Sequence, residues 1–291
     1  MQNPSYVIIT PAKDEESNIE STIKSVLAQT LKPKKWIIVD DGSTDKTASI
    51  VKKHANSYDW MIYVKSRSGP TDRAGGTKIV AAFYAGYEVI QADIFDFIVK
   101  LDADIILPLD YFEQVGHAFS RNSRVGLCGG YCVIDRNGRM VTERSHSQHL
   151  RGAIKAYRRE CFDQIGGIPR VHNWDGLDQI LARFHGWEIE ILPVKVIHQK
   201  ETGSTLNPIR SNFIDGISYY KTGYGFFISC LSALSRSFAG PFYSGFFYFA
   251  GVFWAWMIRE PWVVDKEVAR FARKLQFDRL FKFKRKKSLN I

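Results

Sequence analysis

The sequence predicts an α/β fold in which a mostly parallel sheet is flanked by helices and followed by a C-terminal helical segment of different character. Three observations point there. Short β-branched runs alternate with helix-period apolar patterns from Tyr6 to Leu101, the mark of parallel strands joined by right-handed crossovers. Polar or carboxylate residues stand where three of those runs end, at Pro11, Asp40-Asp41 and Asp102-Ala103-Asp104, and ligands in such sheets bind at the carboxyl ends of the strands. Beyond residue 211 the composition turns aromatic and then basic, so a catalytic domain is expected at 1–211 and a separate tail at 212–291.

The elements follow in order. Tyr6–Thr10 (YVIIT) is a β-branched run ended by Pro11, and Ser17-x-x-Glu20 is a capping-box pattern for a helix whose apolar face is Ile19, Ile23, Val26 and Leu27. Trp36–Val39 is a second buried run, closed by Asp40-Asp41-Gly42-Ser43-Thr44-Asp45, and Ala48, Ile50, Val51 and Ala55 trace the next helix. A third strand is expected at Met61–Val64, a helix at Lys78–Ile90, and a fourth strand in Phe97–Leu101. Asp102 and Asp104 then project to the same side of the chain. Two adjacent carboxylates at a buried strand end need a cation beside them, and hard oxygen donors suit magnesium or manganese.

The chain has 291 residues and a net charge of +10. From Arg259 to Lys287 there are 11 basic and 4 acidic residues, so most of the excess lies near the C-terminus. A basic segment after an aromatic one suggests an anionic membrane surface, and no nucleic-acid motif accompanies it. Cys128, Cys132, Cys161 and Cys230 show no metal-type pairing, which favours free thiols in a reducing compartment. No basic and apolar leader precedes the strand-like segment at Tyr6, so secretion is not expected.

P-A-K-D-E-E at Pro11–Glu16, V-D-D-G-S-T-D at Val39–Asp45, L-D-A-D at Leu101–Asp104, R-G-A at Arg151–Ala153, G-G-I at Gly166–Ile168 and W-D-G-L-D with R-x-x-G at Trp174–Gly186 together resemble the family 2 inverting glycosyltransferases of GT-A fold. The resemblance spans about Ser5–Ser204. It implies a metal-dependent transfer of sugar from a nucleotide-diphosphate sugar to a hydroxyl of a glycan or lipid-linked acceptor, in cell-surface polysaccharide or glycolipid synthesis. Pro11, Ala12, Glu15, Asp40 and Asp41 would line the base and ribose pocket, with Lys78 at the end of the donor loop that starts near Arg73. Asp104 would ligate Mn2+ or Mg2+, Asp102 would assist it or bind the ribose, and His198 would complete the metal or diphosphate site, with Lys200 and Arg210 as diphosphate neighbours. Asp175 would be the base that deprotonates the acceptor, with Asp178, one helical turn on, as a rival base or support. The sequence departs from the family at Trp174, where an acid is common, and at Tyr84, where an asparagine is common.

Pro241–Ile258 has 18 uncharged residues, about 27 Å as a helix and barely the hydrocarbon thickness. Its proline, glycines and nine aromatics favour the membrane interface over its centre. With Val264, Val268, Phe271 and Leu275 on one face of the basic helix that follows, the expectation is a monotopic anchor on the cytoplasmic face of the cell membrane. The oligomeric state stays open. Two other readings remain: a sugar-phosphate nucleotidyltransferase, which calls for a glycine-rich loop that Pro11–Ser17 lacks, and a degenerate transferase-like membrane scaffold, which calls for loss of Asp102, Asp104 and Asp175.

Overall fold

The computed structural model describes residues 4–66, 75–136, 138–143, 149–200 and 207–287. The chain divides into two compact units, Met1–Arg170 with Trp174–Thr202, and Val171–Asn173 with Gly203–Ile291.

The first unit is built on a nine-stranded mixed sheet. In chain order its elements are β1 (Tyr6–Ala12), α1 (Ile19–Leu27), β2 (Lys35–Asp40), α2 (Thr47–Ala55), β3 (Met61–Lys65), α3 (Gly75–Tyr87), β4 (Phe97–Leu101), β5 (Ile105–Ile106), α4 (Tyr111–Arg121), β6 (Val125–Arg136), β7 (Arg139–Thr142), β8 (Ile154–Arg158), α5 (Arg159–Gln164), α6 (Trp174–Phe184) and β9 (Glu188–His198). The order across the sheet is β3-β2-β1-β4-β8-β6-β9-β5, with β7 paired to β6.

β1, β2, β3 and β4 are parallel, as the alternation of apolar runs and helices requires. β8 enters antiparallel beside β4, and β6 antiparallel beside β8. The sheet is therefore parallel in the half that ends in carboxylates and mixed in the other. Its core is aliphatic and aromatic: Tyr6, Ile8, Trp36, Ile38, Phe97 and Val99 are fully buried. Tyr6 stacks on Phe97 with ring centroids 4.8 Å apart.

Three local expectations differ from what is observed. The Ser17-x-x-Glu20 pattern does not cap α1. The helix begins at Ile19 after Asn18, whose side chain makes no cap bond, and Glu20 is drawn to His54 at 2.9 Å and Lys24 at 3.3 Å. β1 runs through Pro11 to Ala12, because Pro11 and Ala12 still pair in register with Val39 and Asp40. α3 starts and ends three residues earlier than its apolar period suggested, and Ile90 is buried in the turn that follows.

The second unit is helical: α7 (Pro208–Lys221), α8 (Phe226–Ala239), α9 (Phe242–Met257) and α10 (Lys266–Lys287). Glycines bring its helices into main-chain contact. A Cβ on Gly216 of α7 would strike the Tyr248 carbonyl, one on Gly251 of α9 the Phe213 carbonyl, and one on Gly245 of α9 the Ala233 carbonyl of α8. No helix of the described residues is long and apolar enough to cross a membrane. Val268, Ala269 and Ala272 of α10 are buried in this unit, so part of the face expected to meet lipid is occupied by packing. Large aromatics point outward instead, with Phe238 at 89% and Phe242 at 81% exposure, joined by Phe246, Trp254 and Trp256.

Candidate functional site

The first two strand-end loops are laced together. The Asp14 N–H donates to Ser43 Oγ (3.0 Å), and the Thr44 N–H donates to Asp14 Oδ1 (2.8 Å). The Glu15 N–H donates to Thr47 Oγ1 (2.7 Å) and the Glu16 N–H to Asp45 Oδ2 (2.9 Å). Asp14 takes a left-handed conformation, φ 52°, to make this turn, an uncommon one that aspartate tolerates better than most residues.

Beside the laced loops lies a cavity of about 330 Å3, whose wall includes Pro11, Ala12, Glu15, Asp41, Lys78 and both Asp102 and Asp104. Lys13 also lines it, and with Lys78 supplies positive charge. Asp40 is not in that wall. It is 2% exposed, with Oδ1 receiving the Ser43 N–H (2.8 Å) and Oδ2 the Tyr63 hydroxyl (2.8 Å). Its visible work is to hold the turn at Gly42, φ +75°, that presents Asp41. Of the Arg73–Lys78 donor loop, Arg73 and Ala74 lie outside the described residues. Lys200 pairs with Glu15 at 2.7 Å, whereas Arg210 belongs to α7 in the second unit.

At the end of β4, ligand atoms of Asp102, Asp104 and His198 all lie within 4.8 Å of one another. His198 closes β9, and β9 pairs with β5 so that His198 faces Ile105, next to Asp104. Its Nε2 is 3.3 Å from Asp104 Oδ2 and its Nδ1 3.1 Å from Glu143 Oε2. Burial alone would lower the His198 pKa, yet the two carboxylates raise it to about 10. An imidazole held so firmly by carboxylates on both sides is a site that favours a cation. Glu143 in turn meets Arg151 at 3.1 Å, so the R-G-A segment braces the histidine from behind.

These residues fit a divalent ion. Two carboxylate oxygens and one imidazole nitrogen form a hard donor set suited to Mn2+, with Mg2+ less favoured by the nitrogen. A carboxylate on the far nitrogen of a ligating histidine is the usual supporting contact. Cys132, Glu143 and His198 also cluster within 4.8 Å. Burial, with Glu143 adding to it, pushes the Cys132 thiol up to about 12, so this sulfur stays protonated and the oxygen-rich set is the better cradle.

A buried cation of the chain itself also serves this corner. Lys100, 2% exposed near the end of β4, donates to Asp102 Oδ1. Its ammonium sits 5.2 Å from the Trp174 ring centroid, and that of Lys155 sits 5.1 Å from the same ring. Trp174 thus stands where the resemblance leads one to expect an acid, and it meets both buried lysines through its π face. Lys155 is paired below with Asp178, both fully buried: its Nζ reaches Oδ1 at 2.9 Å and Oδ2 at 2.8 Å, and the Tyr157 hydroxyl donates to Oδ2 at 2.5 Å.

The two aspartates of α6 therefore have different environments. Asp178 is sealed at 0% exposure; burial pushes its carboxyl above the ordinary value while Lys155 and Tyr157 pull against it. Asp175, in the first turn, keeps 31% of its side chain exposed. Burial pushes the Asp175 carboxyl up, but the His149 hydrogen bond and the neighbouring charges, that of Lys155 first among them, outweigh it and hold it well below the usual range. A carboxylate in that state stays ionised through the ordinary pH range, and part of it is open to solvent.

Lys100, Glu143, His149, Lys155 and Gln179 were not singled out in the sequence. The signal for two of them was there: a lysine inside each of the apolar strands FIVKL and IKAYR is a buried charge that must have a partner.

A family model described as "Glycosyl transferase family 2" matches residues 7–171. Among curated proteins, an uncharacterised glycosyltransferase of Haemophilus influenzae is 30% identical over 141 residues, covering 48% of this chain and 52% of that protein. The beta-monoglucosyldiacylglycerol synthase of a Nostoc species is 28% identical over 208 residues, covering 65% of this chain and 43% of that protein. The chain thus spans about half the length of these curated relatives. Among solved structures, the mannosyltransferase PcManGT from Pyrobaculum calidifontis, in complex with GDP-Man and Mn2+, superposes with a TM-score of 0.55 at 15% identity, covering 96% of this chain and 81% of that one. That likeness speaks to the fold.

Proposed function

The chain belongs to glycosyl transferase family 2, and from that we propose that it moves a sugar, with inversion, from a nucleoside-diphosphate sugar to a hydroxyl of a glycan or lipid-linked acceptor. The observation that carries this is the Asp102, Asp104 and His198 cluster, whose two aspartates line the same cavity as Asp41, Lys13 and Lys78. A nucleoside fits the carboxylate side, where Asp41 and Glu15 can accept base N–H or ribose O–H bonds. A diphosphate can be met by the Lys13 and Lys78 ammonium groups that line the same cavity. Mn2+ or Mg2+, when bound by Asp104, His198 and Asp102, supplies charge neutralisation to the departing nucleoside diphosphate. That the neighbour PcManGT holds GDP-Man and Mn2+ supports this assignment.

The base is Asp175. It takes the acceptor proton while the acceptor oxygen attacks the anomeric carbon on the face away from the diphosphate, which inverts that centre. Asp178 has a different task, because both its oxygens are already held by Lys155 and Tyr157; it fixes the helix that carries Asp175. Asp102, tethered by Lys100, is placed to orient the ribose or to share the ion.

The test is release of nucleoside diphosphate from UDP-glucose, UDP-GlcNAc and GDP-mannose with manganese or magnesium, in the presence of a membrane lipid extract as acceptor. One donor turns over and needs the metal, and nucleotide binding by Asp104→Ala measured calorimetrically no longer responds to manganese. Wild-type protein that neither turns over any donor nor binds nucleotide in a metal-dependent way would overturn the proposal and favour a scaffold.

The helical unit is proposed to rest on an anionic lipid surface. From Phe226 to Ile258 the only charged residue is Arg236, and it is turned to Asp215 at 3.2 Å and to the Tyr248 ring at 4.6 Å. The outward aromatics are the residue type that partitions into the headgroup region, and the basic residues of α10 add attraction to anionic headgroups. Such an anchor holds the enzyme where lipid-linked acceptors are. A cytoplasmic-face location accords with four unpaired cysteines. The full chain should co-sediment with vesicles containing anionic lipid and lose most of that binding in Phe238→Ser/Phe242→Ser/Trp254→Ser. A triple variant that binds vesicles as wild type does would exclude these helices as the contact.

A further inference from the structure

His149 stands against the proposed base, and its two ring nitrogens are in different surroundings. Nε2 is 3.4 Å from Asp175 Oδ2 and Nδ1 is 2.9 Å from Gln179 Nε2. Which of them carries the proton follows from Gln179, because main-chain groups that cannot change polarity set its amide. The Leu150 N–H donates to Gln179 Oε1 at 3.1 Å, so the carbonyl end points there. The Leu150 and Asp175 carbonyls, at 3.1 and 2.6 Å, accept only, so the NH2 end lies on their side. That NH2 group is the one facing His149 Nδ1. Turned over, the buried Gln179 would set its NH2 against the Leu150 N–H and its oxygen against two carbonyls. The two hydrogens of that group are shared among three neighbours and an amide nitrogen accepts none, so His149 Nδ1 has no donor role towards Gln179 and the ring offers its hydrogen to Asp175 through Nε2.

We propose that Gln179 and His149 act as a positioning pair for Asp175, with Gln179 locking the neutral Nε2–H tautomer and His149 fixing Oδ2 so that Oδ1 faces the acceptor hydroxyl. The inference rests on Asp175 being the base. Among the described residues Asp175 Oδ1 has no hydrogen-bond partner, while Oδ2 has His149 and the main-chain carbonyl has Lys155 and Gln179. The carboxylate is held at one oxygen and through its backbone, and is open at the other. His149 is placed to support the base, because Nε2 faces the Asp175 carboxylate and Nδ1 faces the Gln179 amide group. The polarity matters as much as the position. The Gln179 amide group facing Nδ1 leaves Nε2 as the ring atom that donates to Asp175. Hydrogen bonds to catalytic groups are often long before substrate binds and shorten with it, which accommodates the 3.4 Å separation.

The test has two arms. In the first, the full chain is labelled with 15N at histidine, and the ring signals of His149 are assigned by their loss in His149→Gln. The expected result is a bare Nδ1 and a protonated Nε2; the opposite tautomer, or an imidazolium at neutral pH, overturns the proposal. This arm needs no substrate. The second arm follows nucleoside diphosphate release with whichever of UDP-glucose, UDP-GlcNAc and GDP-mannose turns over. His149→Ala is expected to lower kcat about tenfold or more, with donor KM changed by less than about twofold. His149→Gln, whose amide can donate to Asp175 and accept from Gln179, should recover most of that loss. Gln179→Glu, which places an acceptor opposite Nδ1, should lower kcat and shift the tautomer. A His149→Ala enzyme with wild-type kcat, or a His149→Gln enzyme no better than His149→Ala, overturns the positioning role. Asp175→Asn separates the two claims: if it too keeps wild-type kcat, the base assignment falls, and if it is inactive while His149→Ala is not impaired, only the positioning pair falls.

Discussion

Asp175→Asn is expected to lower kcat by about 10²–10⁴, the span that general-base catalysis contributes, while leaving metal-dependent nucleotide binding unchanged. The replacement keeps the size of the side chain and an oxygen for the His149 N–H, and removes only the capacity to take a proton. Steady-state turnover and calorimetric nucleotide binding on the same preparation check both halves. Loss of binding along with turnover would mean that Asp175 shapes the donor pocket. The depressed pKa of this carboxyl adds a second expectation. Its own protonation sets in only below the ordinary carboxylate range, so no decline of kcat/KM between neutral pH and about pH 5 should be traceable to Asp175. The group accepts its proton only as the attacking oxygen gains positive charge.

The second large effect is on folding. Lys155→Met should destabilise the protein by about 3–5 kcal/mol, because it strands the Asp178 carboxylate without its cation. Both residues are 0% exposed, so water cannot replace the missing partner. Chemical denaturation provides the measurement. The deficit should narrow as pH falls, since a carboxyl that protonates in the folded state more readily than in the unfolded one adds stability on the acid side. Lys155→Met/Asp178→Leu, which removes both charges, should recover most of the loss. A single variant within about 1 kcal/mol of wild type, inside the range of solvated pairs, would show that solvent reaches this pair in solution.

The two results bear on the same helix by different routes. Asp175 and Asp178 are three residues apart on α6, and only their surroundings separate a group open to chemistry from one that holds the scaffold. Spacing alone could not assign them, which is why the sequence left the base open between the two. Asp40 and Asp41 present the same problem at the end of β2. Adjacent residues on a strand point to opposite sides, and here Asp41 reaches the cavity while Asp40 turns to Ser43 and Tyr63.

What could be read in advance was local. The apolar runs of β1 to β4 and the helical periods between them are properties of short stretches, 13 residues at the longest, and with parallel pairing they placed Asp102 and Asp104 at a strand end near Pro11 and Asp41. The reversed strand β8, set between β4 and β6, was not legible, because its direction is decided by partners rather than by its own pattern. The supporting residues were hidden for the same reason. Glu143 meets His198 across 55 residues of chain, His149 meets Asp175 across 26, and Lys155 meets Asp178 across 23. Only Lys100 and Lys155, as charges inside apolar strands, announced that a partner was required.

The glycine contacts of the helical unit have a geometric consequence. Two helices that touch main chain to main chain leave almost no interior layer between them, so the volume a side chain could occupy lies on the outside. A bundle with wider spacing could have hidden Phe242, Phe246 and Trp254 between its helices. With Gly216, Gly245 and Gly251 at the crossings, the interior layer is confined to a small cluster around Tyr248, and the remaining large rings of the bundle form its aromatic coat.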